Sequence, residues 1–227
     1  MTDQSVIYPR SLSPMNDRLV KKSERRWARR KEARPEEITA AALDLFVERG
    51  FANTRLEDVA SRAGISKGTL YLYFENKEEL FKAVVREGLV SPLAVMKGVI
   101  EQFEGSSFEL LRILLCGWWE KVGATRVSGI PKLIFAEAGN FPELARFYVA
   151  EVVEPGHEVI AAIVKRGVSR GEFRAVDPIQ TAPLIAAPLV VIMMWRNSLA
   201  QHGSQTIDPL RYIEAHLDML RHGLAKE

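Results

Sequence analysis

The chain has 227 residues, 47% hydrophobic and 26% charged, with a formal net charge of +2. That length allows one large domain or two small ones with a real apolar core, and the balance excludes collagen-like and disulfide-stapled classes. Charge alone points to no nucleic acid, but its distribution does: residues 1–86 carry 17 basic against 13 acidic side chains, and residues 87–227 carry 14 against 16.

Residues 1–15, with Pro9, Pro14 and several serines, read as disordered. The first 20 residues lack the run of about 7–15 apolar residues that a secretory signal needs. Most of the basic excess lies in 18–34, RLVKKSERRWARRKEAR, with nine basic and two acidic residues. Two readings of it stand. It is a basic arm that adds phosphate contacts or enters a minor groove, or a solvated leader. Asn16 to Ala33 could also extend as a helix, and Trp27 would then need a surface to pack on.

Pro35 to Arg49 reads as a helix. Pro35 suits a first helical position, Ile38, Ala42, Leu45 and Phe46 form its apolar stripe, and Gly50 ends it. Thr54 and Glu57 have the spacing of a capping box, followed by Leu56, Val59, Ala60 and Ala63 on one face. Gly64 stops that helix and Ser66 caps the next. Leu70 and Phe74 should point inward, while Ser66, Lys67, Gly68, Thr69, Tyr71 and Leu72 occupy the N-terminal end and outer side. Asn76 and Glu79 repeat the cap logic before Leu80, Phe81 and Val84. Two short helices around a tight turn, beside an upstream partner helix, are the layout of a helix-turn-helix reader of DNA.

The segments AALDLFVERGFANT, VASRAGISKGTLYLYF and NKEELF follow one another in order. Through them, residues 35 to about 82 resemble the DNA-binding head of the TetR family of bacterial regulators. The resemblance implies an all-α, dimeric repressor with a variable C-terminal ligand domain. Carried over by position, it implies that Thr54, Ser66, Lys67, Gly68, Thr69, Tyr71, Tyr73 and Lys77 face DNA. Leu72 departs from the polar or larger aromatic residue often found there, and Tyr73 stands where several members have His.

The remaining chain reads as helices: Lys77 to about Gly88, Ser91 to Phe103, Phe108 to about Thr125, Pro131 to Ala138, Pro142 to about Arg170 and Pro209 to Leu224. Pro155-Gly156 should kink or break the fifth of these. Pro178 to Trp195 has no charge over 18 residues, which touches the lower limit of a membrane span. Pro183, Pro188 and the polar residues Gln180 and Thr181 argue instead for burial in a soluble bundle, lining a pocket or a dimer face. The single cysteine, Cys116, sits in an apolar run and fits a reducing cytoplasm.

The expected organisation is a basic extension (1–34), a helix-turn-helix domain (35–85) and a helical effector-binding and dimerisation domain (86–227). Apolar segments 178–200 and 208–224 would form a homodimer interface, so the expected operator is palindromic double-stranded DNA. Aromatic and soft side chains cluster at Trp118, Trp119, Phe135, Phe141, Phe147, Tyr148, Met193, Met194 and Trp195. The family resemblance, not their spacing, implies a ligand pocket in this domain, and Trp118, Trp119, Phe135, Phe147, Met194 and Trp195 are its candidates, for a small, hydrophobic effector. Arg112, Glu137, Asn140 and His157 are candidate polar contacts. With only four histidines, one cysteine, no H-E-x-x-H and no G-x-S-x-G, no catalytic residue, metal set or cofactor is assigned. The competing reading is an architectural or constitutive DNA binder without effector, which would bind with steep salt dependence and little preference between sequences.

Overall fold

The computed structural model describes residues 34–204 and 206–226. The basic segment 18–34, the leader before it and the packing of Trp27 therefore fall outside the described side chains. Contacts divide the chain into Met1–Glu37 and Ile38–Glu227. Among the described residues every regular element is helical, and the one β-bridge joins Phe173 to Ala225.

Helix α1 (Arg34–Asn53) is broken at Gly50, whose φ of 82° lies in the region that favours glycine. Helices α2 (Leu56–Arg62) and α3 (Lys67–Tyr71) follow, separated by Gly64 at φ 67°. Their apolar faces join α1 and α4 (Lys77–Val85) around a cluster of three phenylalanines. Phe46, Phe51 and Phe81 are all buried, with ring centroids 5.4–5.6 Å apart in stacked and edge-on pairs.

The helix that leaves this head does not end near Gly88. It runs through a π-helical turn, Arg86–Val90, into α5 (Ser91–Gln102), so two predicted helices are one continuous run. The next run is α6 (Ser107–Trp118) with a second π turn, Trp119–Gly123. After a 3₁₀ turn come α7 (Gly129–Glu137) and α8 (Pro142–Tyr148). A third π turn, Val149–Val153, joins α8 to α9 (Glu154–Ser169). Pro155 therefore does not break this run. Two of the three π turns end two residues before a proline, ahead of Ser91-Pro92 and Glu154-Pro155. Proline lacks the N–H that would continue the ladder, and the preceding residue instead reaches five back, Ser91 N–H to Arg86 and Glu154 N–H to Val149.

Helix α10 (Pro178–Ser198) packs on α9 and α7, and α11 (Pro209–Leu224) closes the bundle beside α10 and α6. Pro183 and Pro188 lie inside α10 without ending it. By length and composition α10 could cross a membrane, and only 28% of its apolar window is buried within this chain. The expectation that the chain itself buries this segment thus holds for one side. Ala182, Ile185, Leu189, Ile192 and Met193 face inward, while Ile179, Leu184 and Val191 are exposed.

The head is bonded to the helices behind it. Phe51 meets Phe141 edge-on at 4.8 Å, and the Ala52 N–H donates to Glu137 at 3.2 Å. Arg126 reaches Asp44 at 2.7 Å and Glu48 at 3.1 Å.

Candidate nucleic-acid interface and ligand cavity

Local chemistry shapes the end of α3. The Ser66 hydroxyl accepts the Thr69 N–H at 3.1 Å and lies 2.9 Å from the Thr69 hydroxyl, so the first turn is capped by its own side chain. Leu70 is fully buried and anchors the helix. Ser66, Lys67, Gly68, Tyr71 and Tyr73 are exposed, Leu72 is 83% exposed, and Thr69 is half-buried. A Cβ at Gly68 would meet only the Ser66 hydroxyl, at 3.9 Å, so this surface is open to close approach. The Lys67 ammonium lies 5.7 Å from the Tyr71 ring centre and pairs with Glu57, whose carboxylate raises the lysine pKa. The Asn76 side chain accepts the Glu79 N–H at 2.8 Å and starts α4 as expected.

Two of the expected DNA-facing residues are elsewhere. Thr54 is buried, 1% exposed, and its hydroxyl donates to the carbonyls of Gly50 at 2.7 Å and Leu45 at 3.2 Å. It makes no capping box: Arg55 is the N-cap of α2, with no side-chain bond. The hydroxyl expected to accept a backbone N–H at the start of α2 instead donates back into α1, where Gly50 interrupts the helix. Lys77 also turns inward. Its ammonium donates to Phe51 O at 2.8 Å and Ala52 O at 3.1 Å and lies 4.5 Å from the Phe51 ring centre. Partial burial lowers its pKa, and it closes the C-terminal end of α1.

Behind the head, a cavity of about 130 Å3 opens between α5, α6, α9 and α10. Leu89, Leu93, Leu114, Ile160, Leu189 and Met193 are among its apolar lining, and Trp118, Tyr148 and His157 supply its polar groups. All three π turns adjoin it: Leu89 lies in the first, Trp118 precedes the second, and Val152 and Val153 lie in the third. Irregular helical turns of this kind recur at functional sites. The bidentate pair Arg86–Glu151, at 2.6 and 2.8 Å, ties the first turn to the third. Burial pushes the Tyr148 phenol far above its ordinary pKa, so it stays protonated.

Of the six expected pocket residues, Trp118 alone lines this cavity. Phe135 is 64% exposed. Phe147 packs under the Arg86 guanidinium at 5.0 Å and the Lys82 ammonium at 5.9 Å, on the head side. Trp119 and Trp195 line a separate hollow with Arg196 and residues 206–210, and Met194 lines neither. Of the four expected polar contacts, His157 is at the cavity. Arg112 pairs with Glu214, while Glu137 holds the Ala52 N–H and the Asn140 amide. Leu89 and Leu93 were missed because they lie on the helix leaving the head, where apolar spacing reads as core.

Comparison with known proteins agrees with this geometry. The family model for bacterial regulatory proteins of the tetR family matches residues 38–84, and the one for the tetracyclin repressor-like C-terminal domain matches 104–203. The HTH-type transcriptional regulator YfiR of Bacillus subtilis is 28% identical over 152 residues, 66% of this chain and 73% of that protein. The HTH-type transcriptional regulator RutR of Escherichia coli is 46% identical over 71 residues, 31% of this chain and 34% of its own length. The crystal structure of the transcriptional regulator FadR from Bacillus subtilis in complex with stearoyl-CoA superposes with a TM-score of 0.71 at 19% identity, covering 83% of this chain and 98% of that one. That likeness shows a shared fold. With the two domain matches and these relatives, the chain belongs to the TetR family of helix-turn-helix transcriptional regulators, DNA-binding proteins rather than enzymes.

Proposed function

We propose that this protein is a cytoplasmic, ligand-responsive repressor that binds a palindromic operator as a homodimer and is released by a small hydrophobic effector. One observation carries the reading: a single helical run joins the head core to the cavity. Leu80 and Phe81 on α4 are buried in the head cluster, and Leu89 and Leu93 further along the same run line the cavity. A ligand that moves this wall therefore acts on the helix that carries the head.

In this proposal 35–85 is the reading domain and 86–227 the effector and dimer domain. Ser66, Lys67, Gly68, Thr69, Tyr71 and Tyr73 contact DNA, and Thr54 and Lys77 support them from within. The exposed apolar side chains of α10 (Ile179, Leu184, Val191) and α11 (Leu210, Met219) pack across a two-fold axis. Two heads so related read half-sites a near-whole number of helical turns apart. Release requires the effector to bind the free form more tightly than the DNA-bound form.

The test is a mobility-shift titration against the DNA upstream of the protein's own gene, at several salt concentrations, with and without candidate effectors. Sequence-selective binding that an effector weakens supports the proposal. Selective binding that no compound in broad libraries weakens contradicts the ligand-responsive part. Binding equal to that of random DNA contradicts the assignment of this DNA as operator.

A further inference from the structure

We propose that the ligand of the cavity between α5, α6, α9 and α10 is a small uncharged molecule, built on one ring or a compact branched chain. It carries one hydrogen-bonding oxygen, held by Tyr148 and His157. The inference rests on the reading of this cavity as the effector site.

Three observations carry it. The first is size: the cavity's 130 Å3 is close to the ~150 Å3 of an engineered apolar cavity that takes up benzene. A single ring fits that space.

The second is charge. No Lys, Arg, Asp or Glu lines the cavity. The nearby carboxylate of Glu151 is committed to Arg86. A ligand carboxylate or phosphate would find no Lys or Arg here to balance its charge, and burying a charge without a counter-charge is costly. A cation would find no acid among the lining residues to balance its charge.

The third is uncommitted hydrogen-bonding capacity. Tyr148 is buried, yet its hydroxyl has no hydrogen-bond partner among the described residues and is not sealed from open space. The His157 ring and the Trp118 indole N–H, both at the cavity, likewise have no protein partner among the described residues. Buried hydroxyls ordinarily find partners, and Tyr148 is one of the residues that line the cavity. The protonated phenol can donate to a carbonyl or ether oxygen or accept from a hydroxyl. A neutral ligand with one such oxygen satisfies the free groups and introduces no unmatched charge.

The test is isothermal titration of the full chain with four probes of one ring size: acetophenone, ethylbenzene, benzoate and benzyltrimethylammonium. Acetophenone is expected to bind, and the two ions at least about tenfold more weakly, because their charge is unpaired in the cavity. Tyr148→Phe removes only the hydroxyl. It should weaken acetophenone roughly three- to tenfold, the range for one net hydrogen bond, and leave ethylbenzene unchanged. Ala186→Phe, which places a ring at the cavity wall, should abolish binding of both.

If either ion binds as tightly as acetophenone, or if Tyr148→Phe and His157→Phe both leave acetophenone unchanged, the proposed ligand class is wrong while the cavity remains a binding site. If acetophenone binding survives Ala186→Phe in a folded variant, the ligand sits elsewhere and the proposal fails. If none of the four probes binds, the reading of this cavity as an effector site fails with it.

Discussion

The reading head and the helices that follow it are ordered by different kinds of contact. In the head, three phenylalanine rings fill the core and short-range polar bonds fix the rim. Ser66 caps α3, Asn76 caps α4, and Arg49–Asp58 and Arg62–Glu48 pin α2 to α1 at 3.1 and 3.0 Å. Around the cavity the wall is mainly aliphatic, three helical turns are widened, and the polar side chains have no protein partner among the described residues. A surface that must match a fixed duplex is held by bonds it makes to itself. A site that must accept a guest keeps its hydrogen bonds unspent.

Four measurements test whether the two regions differ in this way. The largest effect should come from the head core. Phe81→Ala removes a fully buried ring and should cost about 3–5 kcal/mol in chemical denaturation, whereas Val190→Ala at the half-buried cavity wall should cost about 1 kcal/mol. Equal losses would mean that the two regions are packed alike.

Lys77 comes next. Lys77→Met deletes two charged hydrogen bonds to the end of α1. It should cost about 1–2 kcal/mol, the lower part of the range for such bonds because the ammonium is only half-buried. A stability change near zero would return Lys77 to the DNA-facing set.

Lys67 should behave in the opposite way. Lys67→Ala should leave stability essentially unchanged and lower the slope of log K against log salt by about 1 in DNA binding. An unchanged slope would remove it from the interface.

The smallest effect belongs to Arg86–Glu151. The pair is about half exposed, so a double-mutant cycle should give no more than about 1 kcal/mol. Its hydrogen bond from Arg86 holds the Glu151 carboxyl below the ordinary carboxylate range. A carboxylate lowered on folding stabilises above the unfolded value, about 4.3, and that contribution is lost as pH falls through the folded value. The difference between Glu151→Gln and wild type in a thermal melt should therefore be present at neutral pH and shrink in acid. A difference that grows in acid would show that the pair does not hold the two π turns together.

The same contrast decides what could be read from the sequence. Gly64, Ser66 and Asn76 act within three residues of themselves, so their roles in the turn and caps are legible from spacing. Thr54 matched a local pattern too, but its hydroxyl turns back to the carbonyls of Leu45 and Gly50 on α1, a tertiary contact that spacing does not show. Lys77 looked outward until the end of α1 was placed against it. Behind the head, helical spacing marks apolar residues but not which neighbour covers them. Phe147 therefore read as pocket while serving the head-side cation contacts, and Tyr148, next to it, faces the cavity. The π turns were not legible because they sit inside runs whose apolar spacing reads as ordinary α-helix.

The central claim is that the outer side of α3 reads DNA while Thr54 and Lys77 hold it from inside. The most direct measurement compares the affinity of Lys67→Ala/Tyr71→Ala and of Lys77→Met for operator and random DNA, under conditions where all are folded. The double variant should lose selective binding and Lys77→Met should keep it. Selective binding retained by the double variant and lost in Lys77→Met would contradict the account.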